Sequence, residues 1–281
     1  MNAFLLAHEP AIRLGFFLGS FTLMAAWEVL APRRPVTFAR RRRWPANLGI
    51  IVIDSVVARL LFPVAAVGMA AYATAHGWGL LSVLTLPGWA TFVVAFVLLD
   101  LAIYLQHVMF HAVPLLWRLH RMHHTDLAFD VTTGTRFHPL EIVLSLGLKF
   151  AVIAALGAPP AAVLMFEVVL NATSMFNHGN VRLPAAADRV LRLLLVTPDM
   201  HRVHHSVRRE ETDSNFGFNL ACWDRLFGTY RAQPRDGHDG MTIGLSTFRD
   251  PHELRLYSML LQPFRAEPRK AGAKPGLGNN S

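Results

Sequence analysis

The sequence predicts an all-α protein, a polytopic membrane helical bundle with a cytosolic helical cap. Composition, span length and loop charge predict it together. Of the 281 residues, 53% are hydrophobic and only 16% charged, and mean hydropathy is positive; a soluble domain with an ordinary charged surface is more polar than this. Apolar stretches close to the ~20 residues that cross a bilayer recur along the chain. The charge between them is strongly asymmetric.

Taken in order, the apolar stretches run over 11–31, 47–75 and 87–112, followed by a shorter pair at 140–157 and 161–178 hinged by "GAPPAA". "PRRPVTFARRRRW" after the first carries six arginines, whereas "HGWGLLSVLTLPG" after the second has no Lys or Arg, so the arginine loop is expected in the cytoplasm. Counting from that loop, the second span runs outward and the third returns. The hairpin leaves and comes back, its arms barely long enough to cross at about 1.5 Å per residue. The end of the third span and everything after the hairpin are then cytoplasmic.

Beyond residue 180 a short apolar helix at "RVLRLLLV" and the loop-rich "SNFGFNLACWDRLFGTY" read as the cap. Residues 1–262 form one membrane-embedded domain, and 263–281, rich in Pro, Gly, Lys and Asn, read as a disordered tail. The N-terminal "MNAFLLAHEPAIRLGFF" lacks the basic n-region of a cleavable leader. The single cysteine, Cys222, excludes an internal disulfide and a cysteine-ligated cluster. Net charge is +8, but the arginines sit at the ends of apolar runs and form no basic stripe interleaved with aromatics, which argues against nucleic acid.

The histidines carry the chemistry. His107 and His111 stand in "HVMFH", His120, His123 and His124 in "HRMHH", and His201, His204 and His205 in "HRVHH". Spacings of three and four put each set on one helix face, and the topology puts all of them on one side of the membrane. Isolated His8, His76, His238 and His252 read as surface or interfacial residues. Asp100 and Tyr104 share a face of the third span with His107 and His111, and Asp100 is placed to hold a ligand imidazole in one tautomer. Asp54 and Arg59 in the second span read as interior pairing or gating groups. Eight imidazoles exceed what one tetrahedral or octahedral ion uses, so the cap should carry a histidine-rich di-metal site. Such neutral ligands favour a borderline transition metal such as iron over Mg or Ca, with zinc an acceptable replacement in a purified sample. No Glu is followed by His three residues later, unlike the ExxH motifs of soluble di-iron bundles.

HVMFH, HRMHH and HRVHH, with "RFHPLE", "FNHGN" and "NFGFNLACWDRLFGTY", resemble the fatty acid hydroxylase and sterol desaturase superfamily, in particular its bacterial sterol-desaturase-like members, over residues 90–232. The resemblance implies a membrane-bound non-haem di-iron oxygenase that hydroxylates or desaturates a lipid: fatty acyl, sterol-like or ether lipid. It implies two Fe ions held by the eight box histidines, with His178 in FNHGN as a further ligand. His138 in the RFHP segment is a candidate ligand, although many hydroxylases lack a histidine there. The substrate would come from the bilayer, with O2 as co-substrate. The chain has no dinucleotide fingerprint, P-loop or cysteine cluster, so electrons would come from a separate ferredoxin or cytochrome with its reductase. Arg202, Arg208 and Arg209 are candidate docking charges for an acidic carrier. Asp224 would orient a ligand or close the cap, which Trp223 and Phe227 would pack onto the bundle. Two rival readings are a histidine-rich metal transporter or sensor, which needs ligands spread along a pathway across the membrane, and a zinc hydrolase, which needs an open single-metal site.

Overall fold

The computed structural model describes residues 2–36 and 38–266. Among them the regular structure is entirely helical, and the only β pairing is three isolated bridges, one of which joins Pro32 to Val181. The helices are α1 (Asn2–Ala7), α2 (Glu9–Leu30), α3 (Arg40–Leu61), α4 (Ala66–Ala75), α5 (Leu80–Val83), α6 (Gly88–Ala112), α7 (Pro114–His124), α8 (Pro139–Leu156), α9 (Pro160–Asn177), α10 (Ala185–Leu191) and α11 (Pro198–His204). Shorter turns complete the chain. Prolines open α7, α8, α9 and α11, at the position where the missing N–H costs nothing.

Four helical segments are long and apolar enough to cross a membrane: Glu9–Leu30, Arg40–Val83, Gly88–Ala112 and Pro139–Leu156. The chain is an integral membrane helical bundle. The second apolar stretch, expected as one span over 47–75, is broken. Helix α3 starts earlier, within the arginine run, and stops at Leu61, because Pro63 pushes Phe62 out of the helical region. Helix α4 then resumes at Ala66 and buries Ala66, Val67, Ala70 and Ala73. With Ala95 and Leu99 of α6 and Ile153, Ala162 and Phe166 of the α8–α9 hairpin, three of these form the main core cluster. Small residues let helix backbones approach closely where lipid removes most of the hydrophobic drive. At the hairpin tip a Cβ on Gly79 would lie 2.0 Å from the Gly157 nitrogen, so only glycine seats α5 there.

The opposite end of the bundle is polar and buried. Arg43, expected as membrane-flanking charge in the arginine loop, lies wholly inside, 2.6 Å from Asp126 and 2.7 Å from Asp130. A buried guanidinium needs such partners. Burial raises the Asp126 carboxyl, yet Arg43 and Arg136 hold it down to about 2. Arg34 donates to the Met241 carbonyl at 2.8 Å, and Arg33 pairs with Asp239. Of the six arginines in this loop only Arg41 and Arg42 are exposed. The loop is thus stitched to the segments after α7 and α9. Glu28 of α2 joins them by accepting from the Val131 and Asn180 amides at 2.7 and 2.8 Å.

Residues 178–266 cover this end. Most of the tail expected over 263–281 lies outside the described residues. Its first residues belong to a 3-10 turn, Gln262–Phe264, in which Gln262 and Pro263 are buried. That turn closes against α7 through Arg118 to the Pro263 carbonyl at 2.7 Å and Thr125 to Gln262 at 2.8 Å.

Candidate metal centre

Four helices end at the same place. His107 and His111 occupy the last turns of α6, His120, His123 and His124 the end of α7, His178 the C-cap of α9, and His201, His204 and His205 the end and C-cap of α11. Each C-terminus carries partial negative charge from unpaired carbonyls. Their convergence favours cations before any side chain is counted.

The imidazoles sort into two groups whose nitrogens lie within 4.8 Å of one another: His107, His111, His120, His124 and His204 in the first, and His123, His178, His201 and His205 in the second. All nine are buried. Each HxxHH box feeds both groups. In the α7 box the i,i+4 pair goes to the first group and His123 to the second; in the α11 box His201 and His205 go to the second group and His204 to the first. At about 100° per residue, consecutive histidines diverge around the helix, so a box at the junction reaches both sides. The groups touch: the His123 and His124 rings are 5.2 Å apart and those of His204 and His205 5.4 Å.

Most Nδ1 atoms of the first group have partners that leave Nε2 for an ion. His107 Nδ1 lies 2.8 Å from the Phe216 carbonyl, His204 Nδ1 2.8 Å from that of Ser214, His111 Nδ1 3.1 Å from Asp213 and His120 Nδ1 2.6 Å from Glu141. In the second group His178 Nδ1 lies 2.7 Å from the Ser174 carbonyl. The inward nitrogens lack protein partners: Nε2 of His111, His124, His204 and His205 is buried without a hydrogen bond. Others crowd together, with His178 Nε2 3.0 Å from His201 Nε2 and 3.2 Å from His123 Nε2. Buried polar atoms left in this way are costly unless something binds them, and nitrogen donors at this spacing fit transition-metal ions. Burial, then neighbouring imidazoles, push His123, His124, His201 and His205 well below the usual histidine range. Burial takes His178 down to about 4 and His204 to about 3. At neutral pH these imidazoles are neutral, as metal ligands must be.

The other expected site residues lie elsewhere. His138 is outside both groups. It caps α8, with Nδ1 accepting from the Leu140 amide and Nε2 3.2 Å from the Leu260 carbonyl, so both nitrogens are engaged. Asp100 touches no histidine; it accepts from Trp223 Nε1 at 2.8 Å and the Leu220 amide at 3.2 Å. Tyr104 is 2.8 Å from the Thr229 hydroxyl and stacks on Phe227 at 5.3 Å. Asp224 accepts from the Phe216 and Gly217 amides at 2.7 and 2.9 Å. These three residues shape the 214–230 segment whose carbonyls face His107 and His204. Trp223 and Phe227 do join the cap to α6. Sequence reasoning missed Glu141 and Asp213, the carboxylates that touch ligand imidazoles. A Glu in the first turn of an apolar span was the available signal for Glu141.

Arg202 offers no docking charge. It is fully buried against Asp199 and Phe129, while Arg208 pairs with Asp236 and Arg209 with Asp213. Arg59 is exposed and does not pair with Asp54. His8 and His76 bond their own helix carbonyls at 2.9 and 2.8 Å. His238, read as a surface residue, is buried 3.7 Å from Asp199.

A cavity of about 290 Å³ opens among α2, α3, α6, α8 and α9 and reaches His107 and His120. Phe17, Ile103, Phe110, Phe137 and Phe218 give it a largely apolar wall. Phe137 also stacks on His123 at 4.6 Å, and no histidine of the second group is in the wall.

Fold and site together define a class: an integral membrane protein with a candidate two-metal histidine centre at one end of its bundle, open to a cavity between the helices. Residues 92–229, just under half of the chain, match the fatty acid hydroxylase family. The chain is 30% identical over 185 residues to an ornithine lipid hydroxylase of Rhizobium tropici, covering 65% of this chain and 54% of that protein. It is 30% identical over 161 residues to the human alkylglycerol monooxygenase, covering 55% and 34%. A cholesterol 25-hydroxylase-like protein of Danio rerio is 30% identical over 134 residues, covering 47% and 52%. The matches thus span about half or less of these relatives' lengths. No solved structure matches the chain.

Proposed function

We propose that the chain is a membrane-bound non-haem di-iron oxygenase that hydroxylates or desaturates a lipid. The observation that carries this reading is the apolar cavity between membrane helices that ends on His107 and His120. A lipid chain entering from the bilayer would bring unactivated carbons to the metal centre without passing through water. The three relatives described above, each named as a lipid or sterol hydroxylase or monooxygenase, support the same chemistry.

The nine clustered imidazoles would hold two iron ions, which when bound supply the reductive activation of dioxygen needed to attack a C–H bond. The chain's own part is positional. Glu141, Asp213 and the 214–216 carbonyls fix imidazole tautomers and ring directions. Phe110, Phe137 and Phe218 exclude water and guide the chain toward His107 and His120. His138 is left to its capping role. Electrons would come from a separate carrier, and the asymmetry of loop charge supports a centre on the cytoplasmic face. The rival metal-transport reading fits less well, because both groups of ligands lie at one end of the bundle.

The test is lipid analysis of cells with and without the chain under isotopically labelled dioxygen. Hydroxylation yields a lipid with one labelled oxygen, desaturation a loss of two hydrogens without label, and ether cleavage an aldehyde. Unchanged lipids with altered cellular metal content would favour metal handling.

A further inference from the structure

Two carboxyl groups in the cavity wall keep a buried oxygen without a partner among the described residues: Glu141, whose other oxygen meets His120 at 2.6 Å, and Asp54. Asp54 of α3 lines the cavity and is only 8% exposed, and its Oδ1 is buried with no hydrogen bond among the described residues. The other neighbouring polar groups are taken. Gln106 donates to the Ser145 hydroxyl at 2.9 Å across the cavity. Lys149, the only lysine or arginine in the wall, is 2.7 Å from Glu167, which also binds Arg13 at 2.6 Å. Arg59 faces outward. A carboxylate placed in this way within a membrane helix is expensive, and such residues stay where they serve a ligand or pathway. Among the described residues Asp54 makes no ion pair and caps no helix that would repay its burial.

We propose that Asp54 is a specificity-determining residue: it accepts a hydrogen bond from a donor group (hydroxyl, amide N–H or ammonium) on an amphipathic lipid lying in the cavity. The lipid's polar group is then fixed at α3 while its chain lies along the apolar wall to His107 and His120. The position oxidised is therefore counted from the polar group and not from the methyl end. This inference rests on the cavity being the substrate site, as proposed above.

Binding tests it without turnover. The full chain in lipid nanodiscs, with and without iron, is titrated with tritiated 1-octadecanol and competed with 1-octadecanol or its methyl ether, which lacks the donor. A hydrogen bond to a buried acceptor corresponds to roughly three- to tenfold in affinity, so the wild type should prefer the alcohol by about that factor. Asp54→Leu should bring the alcohol down to the ether's affinity and leave the ether unchanged. Asp54→Ala provides the same reading if the leucine variant does not fold, with thermal unfolding as the control. Equal binding of alcohol and ether by the wild type, or a preference that survives both substitutions, overturns the proposal. Because binding is read apart from oxidation, an Asp54-dependent preference in a protein that oxidises no lipid would leave this inference standing and remove the oxygenase reading.

Discussion

The two imidazole groups are drawn largely from the same boxes yet are held differently. In the first, four of five histidines have an anchored Nδ1, two of them on carboxylates. In the second, His178 is held by a carbonyl, while Nδ1 of His123 and His201 has no partner. Only the first group meets the cavity, through His107 and His120. A carboxylate behind an imidazole raises its basicity and fixes its direction. The comparison teaches that the half facing the cavity is the one held by carboxylates, whereas no histidine of the second half lines the cavity and Phe137 stacks on its His123.

The largest effect comes from removing a ligand. His120→Ala should empty the first group, and His123→Ala the second, each lowering bound metal by about one ion per chain and abolishing turnover, as loss of a first ligand does elsewhere. His8→Ala and His252→Ala should change neither. Metal analysis of the purified variants checks this, and His123→Ala retaining both ions would break the division into two groups.

Next in size are the carboxylates. Glu141→Gln and Asp213→Asn should weaken metal binding in the first group by about 10- to 100-fold, read by chelator competition. Ser174→Ala keeps the carbonyl that His178 uses, and should leave the second group's affinity unchanged. Equal losses in all three variants would remove the asymmetry.

Protonation sharpens the comparison in the metal-free protein. His204 and His178, lowered to about 3 and about 4, bind protons less readily folded than unfolded. Their contribution to stability is fully present above the unfolded value near 6.5 and is lost as pH falls from there toward their folded values. Thermal unfolding in detergent should show stability constant above about pH 7 and falling below about 6.5. Bound metal should leave the onset of that fall near the unfolded value and extend the fall to lower pH, because it keeps the folded imidazoles unprotonated.

The smallest expected effect is steric. A Cβ on Gly134 would lie 2.9 Å from the Ser174 carbonyl and 3.0 Å from His178 Nδ1. Gly134→Ala should weaken the second group alone, by a few-fold on the usual scale for a displaced supporting contact. Chelator competition resolves it from the first group.

Much of this arrangement was legible in the sequence. Apolar length and loop charge gave the membrane bundle and put the arginine loop at the same end as the histidines. The break at Phe62 was legible too, since Pro63 stands inside the stretch taken as one span. The division of each box was available from helical period, because His123 and His124 point about 100° apart, but which neighbour each would meet was not. Partners brought in by tertiary structure were beyond reach: Asp213 meets His111 across 102 positions and Glu141 meets His120 across 21. Asp100 faced the correct side of α6, yet Trp223 of the cap reaches it first. Arg43 looked like surface charge because the two aspartates that bury it lie more than 80 residues away.

The claim on which the account depends is that the nine histidines make two adjacent metal sites. Anomalous scattering at the iron edge from crystals of the iron-loaded chain tests it most directly. The account predicts two peaks per chain, one inside each group, each about 2.1 Å from the surrounding imidazole nitrogens. A single peak, or density away from His120 and His123, would contradict it.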